Sequence, residues 1–536
     1  MKVKGMNMNT RSWILSAVIT YALAGCAATY ESAEESFQTG DIEAARAAWT
    51  ELANDGDVPS MYRLYTSANR PTLDDVQWLA IAADSGNADA QYDYSMFLLD
   101  KERYTDAYDY VRDAEANGSL PAKEFLAEND AIFQLWMKAE DGNVFDVTNL
   151  GEHYWGQKDY VNAIKWFERC IEENSYCSFY LGLAYAGGYG VEVDYDTSID
   201  WYTQSALKGN KDSARNLAWI YENGNSGTVD TQQAFRWMTQ AAQEQWPVPT
   251  AELGRYYLYG VGTPKNNQKA FELLTIAAPK NKFAAYNLAR MYYFGEGIEK
   301  DFKQSFRWFE QAGKQNHRAS KYYVAQHYYK GLGRDKNLSE ARKWFKQAAE
   351  LGDSDAQFRL GWMYSNAEGV EKSYRTAFNW YNKAAEQGHS AAQNNLGVMF
   401  AEGQGTEKDD YQAFKWYERA AKQGDEVAQN NLGVRYENGT GVRKSNELAA
   451  YWYATSAQNN YKNAQSNLDA MLHKLRVRHV NVKLTEVYKQ NDFDSTTLLS
   501  IPRGEKAYVL SEGSQWTEVY YPKNNTIGYI NNTHLN

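Results

Sequence analysis

Apolar, small and polar residues recur along this chain with a period of 36 residues. Aligned on Leu360, Leu396, Leu432 and Leu468, an alanine stands four positions earlier (Ala356, Ala392, Ala428, Ala464) and a glutamine three earlier (Gln357, Gln393, Gln429, Gln465). Trp380, Trp416 and Trp452 keep the same register. Within one period, Ala392, Leu396 and Phe400 mark one stripe of a helix, and Gly403-Gln404-Gly405 interrupts it. Ala413, Trp416, Tyr417, Ala420 and Ala421 then form a second apolar stripe, closed by Gly424. The pattern predicts helical hairpins, each too small to bury its apolar face alone, stacked into a solenoid. The register continues upstream through Leu181/Trp201, Leu217/Trp237, Leu253/Leu273, Leu288/Trp308 and Val324/Trp344, which predicts eight clear units over about 177–459.

From about 31 to 170 the pattern stays helical but degenerates. Ala44/Trp49, Ala90/Phe97/Ala107 and Leu150/Tyr154/Trp166 predict three or four diverged hairpins continuing the solenoid. Beyond Leu468, Met471 and Leu472 extend a last helix, expected to cap the stack because a terminal repeat must cover its exposed core. The last 60 or so residues change character. Val480-Asn481-Val482, Ala507 to Leu510, Trp516 to Tyr521 and Ile527 to Ile530 read as short strands separated by turn residues.

The start of the chain bears on where it works. Lys2, Lys4 and Arg11 precede an apolar or small stretch from Trp13 to Gly25, too short to span a bilayer and followed by Cys26. A basic segment, a short apolar run and small residues before a cut describe a cleaved export signal over residues 1–25. Its removal takes the formal charge from −12 to −15, which argues against nucleic acid as a partner. No later apolar run reaches membrane-spanning length.

Catalytic chemistry has little to stand on. The histidines, His153, His327 and His389 among them, show no metal-ligand spacing, and no cofactor or metal is expected. Glycine pairs such as Gly295-Glu296-Gly297 and Gly439-Thr440-Gly441 lack the Gly-Lys-Ser/Thr ending of a phosphate loop and read as turns. Cys170 and Cys177 both take small-residue positions where one hairpin packs on the next. A bond between them would staple two repeats; the alternative is two buried thiols replacing alanines. An asparagine column before the key leucine (Asn216, Asn287, Asn395, Asn431, Asn467) reads as structural side-chain hydrogen bonding rather than a ligand ladder.

The run from Ala428 through Val442 and Ala449 through Ala457 resembles the Sel1-like repeat, a relative of the tetratricopeptide repeat. That resemblance implies a right-handed superhelix of helix pairs, without enzymatic activity, used in protein assembly. Cysteine-rich members of that family place bridges at nearly the spacing of Cys170 and Cys177. Leu23-Ala24-Gly25-Cys26 resembles the lipobox of bacterial lipoproteins, which implies a lipid on Cys26 and, with Ala27 following, an outer-membrane location on the periplasmic side. The turn after Ile501, Gln515-Trp516 and Gly528-Tyr529-Ile530 resemble the bacterial SH3-type domain, a small β-barrel. Lys483-Leu484-Thr485-Glu486 stands where that family usually carries Arg-Ser-Gly-Pro, which weakens any inherited cell-wall site. The implied organisation is a signal peptide over 1–25, degenerate repeats over 26–170, a Sel1-like solenoid with capping helix over 171–475, and an SH3-like domain over 476–536.

On a helical wheel, positions −2, +2 and +5 from the key leucine fall opposite the core stripe. The central units hold Tyr286, Arg290 and Tyr293 there, then Tyr322, Gln326 and Tyr329, then Phe358 and Trp362, with Arg255 just before. In tetratricopeptide-like superhelices this face lines a concave groove, so the set is the candidate partner site. The alternative is that these rings pack between neighbouring helices. The resulting expectation is a lipid-anchored periplasmic scaffold for cell-envelope proteins. Its rival is an accessory protein that recognises peptidoglycan or an exported polysaccharide.

Overall fold

The computed structural model describes residues 28–536. The signal segment and Cys26 lie outside the described residues. Among the described residues, twenty-six α-helices are followed by six short strands, and the chain divides into two compact units, up to Leu217 and from Ala218 on.

In the first unit, five hairpins pair Tyr30–Gln38 with Ile42–Asn54, Val58–Thr66 with Leu73–Asp84, Ala88–Asp100 with Tyr104–Ala116, Val144–Gly156 with Tyr160–Glu168, and Ser175–Gly187 with Tyr195–Leu207. A single helix of 21 residues, Leu120–Glu140, is interposed without a hairpin partner of its own. Trp49, Ala90, Ala107 and Leu150 are fully buried, whereas Ala44 is exposed and Ala45 takes its place in the core. Cys170 and Cys177 form a disulfide, with Cα atoms 5.9 Å apart, between the end of Tyr160–Glu168 and the helix Ser175–Gly187.

The second unit shows how the repeat works. Each period has a first helix (A) and a second (B), both usually of 13 residues, as in Ser390–Glu402 and Asp410–Lys422. Side chains cap the helix starts: Asp409 accepts from Tyr411 and Gln412 N–H, and Asp425 from Ala428 N–H. The residue that ends helix A takes the left-handed conformation and is usually glycine, with φ of 69° at Gly403 and 70° at Gly439, although Ala367 holds this place with φ of 59° after Ser354–Asn366. The second glycine of the turn has another reason: a Cβ on Gly405 would lie 2.4 Å from the carbonyl oxygen of Tyr374, at the start of the preceding B helix. The glycine pairs are therefore contacts between successive repeats.

The glutamine column ties the stack together. Gln393 donates to the Ala385 carbonyl at 3.0 Å, near the end of the preceding B helix, and accepts from Gln423 of the next B helix at 2.7 Å. Gln357 repeats both bonds, with Ala349 at 3.0 Å and Gln387 at 2.7 Å. Each of these helix-terminal carbonyls also accepts a backbone N–H, Ala385 from Gly388 and Ala349 from Gly352, so the glutamine adds a second bond that reaches across the repeat junction.

At the C-terminus the strands are β1 (Val477–His479), β2 (Leu484–Tyr488), β3 (Thr497–Pro502), β4 (Lys506–Glu512), β5 (Trp516–Tyr521) and β6 (Thr526–Asn531). They form one antiparallel sheet in the order β1-β4-β5-β6-β2-β3. Val480–Val482 is not a strand; Val480 makes only an isolated bridge with Leu535, and pairing with β4 begins earlier, at Val477. The expectation missed β2 and β3, which are short and owe their conformation to pairing with each other. The last helix, Lys462–Leu472, does cap the stack, with Leu468, Met471 and Leu472 in the core of the final hairpin, but it does not act alone. Leu510 and Tyr520 of the sheet close the same core with Ala450, Ala454 and Leu475.

Candidate functional site

The nine candidate side chains all lie in the second unit, on four consecutive A helices: Pro247–Tyr259, Lys282–Phe294, Arg318–Lys330 and Ser354–Asn366. They do not form one open face. Tyr286 is half-buried, its ring 5.9 Å from Phe309 of the paired B helix and 4.6 Å from His317 of the next repeat. Tyr293 packs 5.4 Å from Tyr323 and 5.5 Å from His327. Tyr322 lies 5.8 Å from Phe345, and burial pushes its hydroxyl pKa up to about 12. Phe358 stacks on His389 at 4.6 Å. Positions −2 and +5 thus look sideways, toward the neighbouring A helix, rather than away from the stack. Gln326 departs furthest from expectation: it is 4% exposed and donates to the Tyr322 hydroxyl at 2.9 Å, with Oε1 buried and unpartnered.

The cations are engaged as well. Arg255 holds both oxygens of Glu222 at 2.8 Å and Glu252 at 2.7 Å. Burial opposes its charge, but the two carboxylates outweigh that and raise its pKa. Arg290 donates to the Tyr259 hydroxyl at 2.5 Å and stands 3.6 Å from Glu296. Tyr329 donates to Glu368 at 2.5 Å, with the Arg359 guanidinium 5.2 Å from its ring. Trp362 differs from the other candidates: it is 37% exposed. It borders a cavity of about 220 Å³ with Ser365, Asn366, Lys372, Tyr374, Tyr381, Asn395 and Gln404.

Sequence reasoning missed other exposed rings, two on these A helices and one, Trp219, on the preceding A helix Lys211–Asn223. Trp219, Tyr259 and Phe294 are 52%, 48% and 46% exposed. Trp219 stands two after Leu217, a position the wheel already singled out; Tyr259 and Phe294 stand six after their leucines, just before the turn. The asparagines are structural where the ladder is complete: Asn431 donates to Asn394 at 3.0 Å and Asn467 to Asn430 at 2.8 Å. Among the described residues no group of three or more His, Cys, Asp or Glu side chains is placed to hold a metal, and no helix is long and apolar enough to cross a membrane.

The Sel1 repeat model matches nine segments: 148–175, 175–210, 211–245, 250–280, 282–317, 319–353, 354–389, 390–425 and 427–461. The chain belongs to the Sel1 repeat family. The ninth match, 148–175, lies in the region read from sequence as degenerate, so the regular repeats begin one hairpin earlier than expected. Among solved structures, a protective antigen of uropathogenic Escherichia coli strains displaying the same repeat fold is 29% identical, with a TM-score of 0.60 over 75% of this chain and 91% of that one. A Sel1 repeat protein from Oxalobacter formigenes is 25% identical, with a TM-score of 0.47 over 57% of this chain and 89% of that one. No curated protein matches this chain significantly in sequence. Sel1 solenoids are in general protein-interaction scaffolds without catalytic activity, and this chain shares that architecture.

Proposed function

We propose that this Sel1 repeat protein is a non-enzymatic, lipid-anchored periplasmic scaffold at the outer membrane, presenting its central A helices to a protein of the cell envelope. One observation carries the docking surface: Trp219, Tyr259, Phe294 and Trp362 keep exposed aromatic faces in a stack whose glutamines and arginines are largely committed to internal bonds. Exposed aromatic rings on a rigid frame supply large contact area at low entropic cost. Anchoring rests on the lipobox-like Leu23-Ala24-Gly25-Cys26. The C-terminal sheet serves as an SH3-type second contact.

A photo-crosslinking residue at Phe294 should capture one protein partner in intact cells, while the same residue at Tyr411, an exposed position on a B helix, should not. Equal capture at both positions would sink the A-helix assignment. Cys26→Ser should release the protein from membranes to the soluble periplasmic fraction; retention after a high-salt wash would count against lipid as the sole tether.

A further inference from the structure

We infer that the cavity beside Trp362 is a saccharide subsite, selective for N-acetylated hexosamine units. It lies between the A helices of two successive repeats, Ser354–Asn366 and Ser390–Glu402. Its volume of about 220 Å³ suits one sugar ring rather than a folded partner. Trp362 borders it with an indole 37% exposed, a flat apolar surface of the kind on which the C–H face of a pyranose stacks.

The remaining lining complements a sugar's polar edge. The amide of Asn366 donates to the Trp362 carbonyl and to Ser365 Oγ, both at 3.0 Å, which holds it in place while its own oxygen bonds nothing among the described residues. Gln404 donates to Glu402, and its amide oxygen is likewise unengaged among the described residues. Two acceptors are therefore available to hydroxyl and acetamido N–H donors. Lys372 has no carboxylate partner among the described residues, its ammonium lying 4.6 Å from the Tyr374 ring, and it is free to donate to an acetamido carbonyl. An aromatic platform with a few convergent polar groups is the general form of a small-ligand site. The subsite shares Trp362 with the proposed docking surface, but a sugar held at this one repeat leaves Trp219, Tyr259 and Phe294 uncovered, so the two readings stand or fall separately.

The test is calorimetric titration of the full chain with a β-1,4-linked tetramer of N-acetylglucosamine, beside the corresponding glucose tetramer. Saturable binding of the acetylated tetramer is expected, weakened by about tenfold or more in Trp362→Ala, partly retained in Trp362→Phe, and unchanged in Tyr411→Ala on an exposed B-helix face. Far-ultraviolet dichroism and melting confirm that each variant is folded. Absence of saturable binding, or undiminished affinity in folded Trp362→Ala, overturns the site. Equal affinity for the glucose tetramer overturns the N-acetyl selectivity. Displacement of the sugar from Trp362 by an unstructured peptide of equal or higher affinity would reassign the cavity to peptide.

Discussion

Tyr381 lies against Gly361 so closely that a Cβ on the glycine would sit 2.6 Å from the ring. The pairing recurs as Gly182 with Tyr202, Gly397 with Tyr417 and Gly433 with Tyr453, and each tyrosine is buried. Where helix A carries alanine at this place, in Ala289 and Ala325, the residue in the tyrosine's register is Phe309 or Phe345. In these four pairs the missing methyl group admits a ring that carries a hydroxyl, and Tyr453 uses it to donate to Glu437 at 2.9 Å; Gly151 faces Phe167 and Gly254 faces Leu274 in the same way without one. Gly361→Ala is expected to cost about 1–3 kcal/mol by overpacking, read from urea denaturation. Adding Tyr381→Phe should cost less than the two single changes together, because alanine with phenylalanine is a combination the stack already accommodates. Strict additivity would argue that the two sites are uncoupled.

Leu396 is fully buried between hairpins. Leu396→Ala should lower stability by about 2–5 kcal/mol through the cavity it leaves. Trp362→Ala, at a partly exposed site, should cost about 1 kcal/mol, near the centre of the range for point changes. Tyr322→Ala should fall nearer the leucine, since that ring packs on Phe345. Equal midpoints for Trp362→Ala and Leu396→Ala would place the indole in the core.

The Cys170–Cys177 bond closes a short loop across two repeats, with a sequence separation of 7. Its removal in a Cys170→Ala, Cys177→Ala variant should cost roughly 2.5 kcal/mol in the chain-entropy account. Unchanged stability relative to the oxidised parent would show that helix packing alone holds this junction.

His327 is fully buried; its Nδ1–H donates to the Leu332 carbonyl at 2.8 Å, and Nε2 accepts from Ser305 at 3.2 Å. Burial lowers its pKa from 6.5 to about 4. Between those values the unfolded chain binds the proton and the folded one does not, so stability falls as pH drops from about 6.5 toward 4. His317, lowered to about 4 by burial and by nearby Lys282 and Arg318, acts in the same direction. His327→Gln should therefore flatten, without abolishing, the dependence of the urea midpoint on pH across that window. An unchanged slope would mean that His327 titrates alike in both states.

The 36-residue period determined the helical hairpins, their order and the burial of Leu360, Leu396 and Leu432, because a stripe repeated at helical spacing has one way to leave water. It also marked Cys170 and Cys177 as neighbours across a junction, since both replace small residues of that stripe. Tertiary packing alone decided what the other faces do. A helical wheel has one axis, whereas an A helix in a stack has a paired B helix and A helices on either side. Tyr286, Tyr293 and Phe358, opposite the core by angle, are consequently covered from the side by His317, Tyr323 and His389 respectively. Gln326 was drawn inside by the same crowding. The strands β2 and β3 escaped notice for a related reason: their conformation comes from pairing with each other, a relation that local periodicity does not record. The closing of the last repeat by Leu510 and Tyr520 likewise exists only once distant segments of the chain meet.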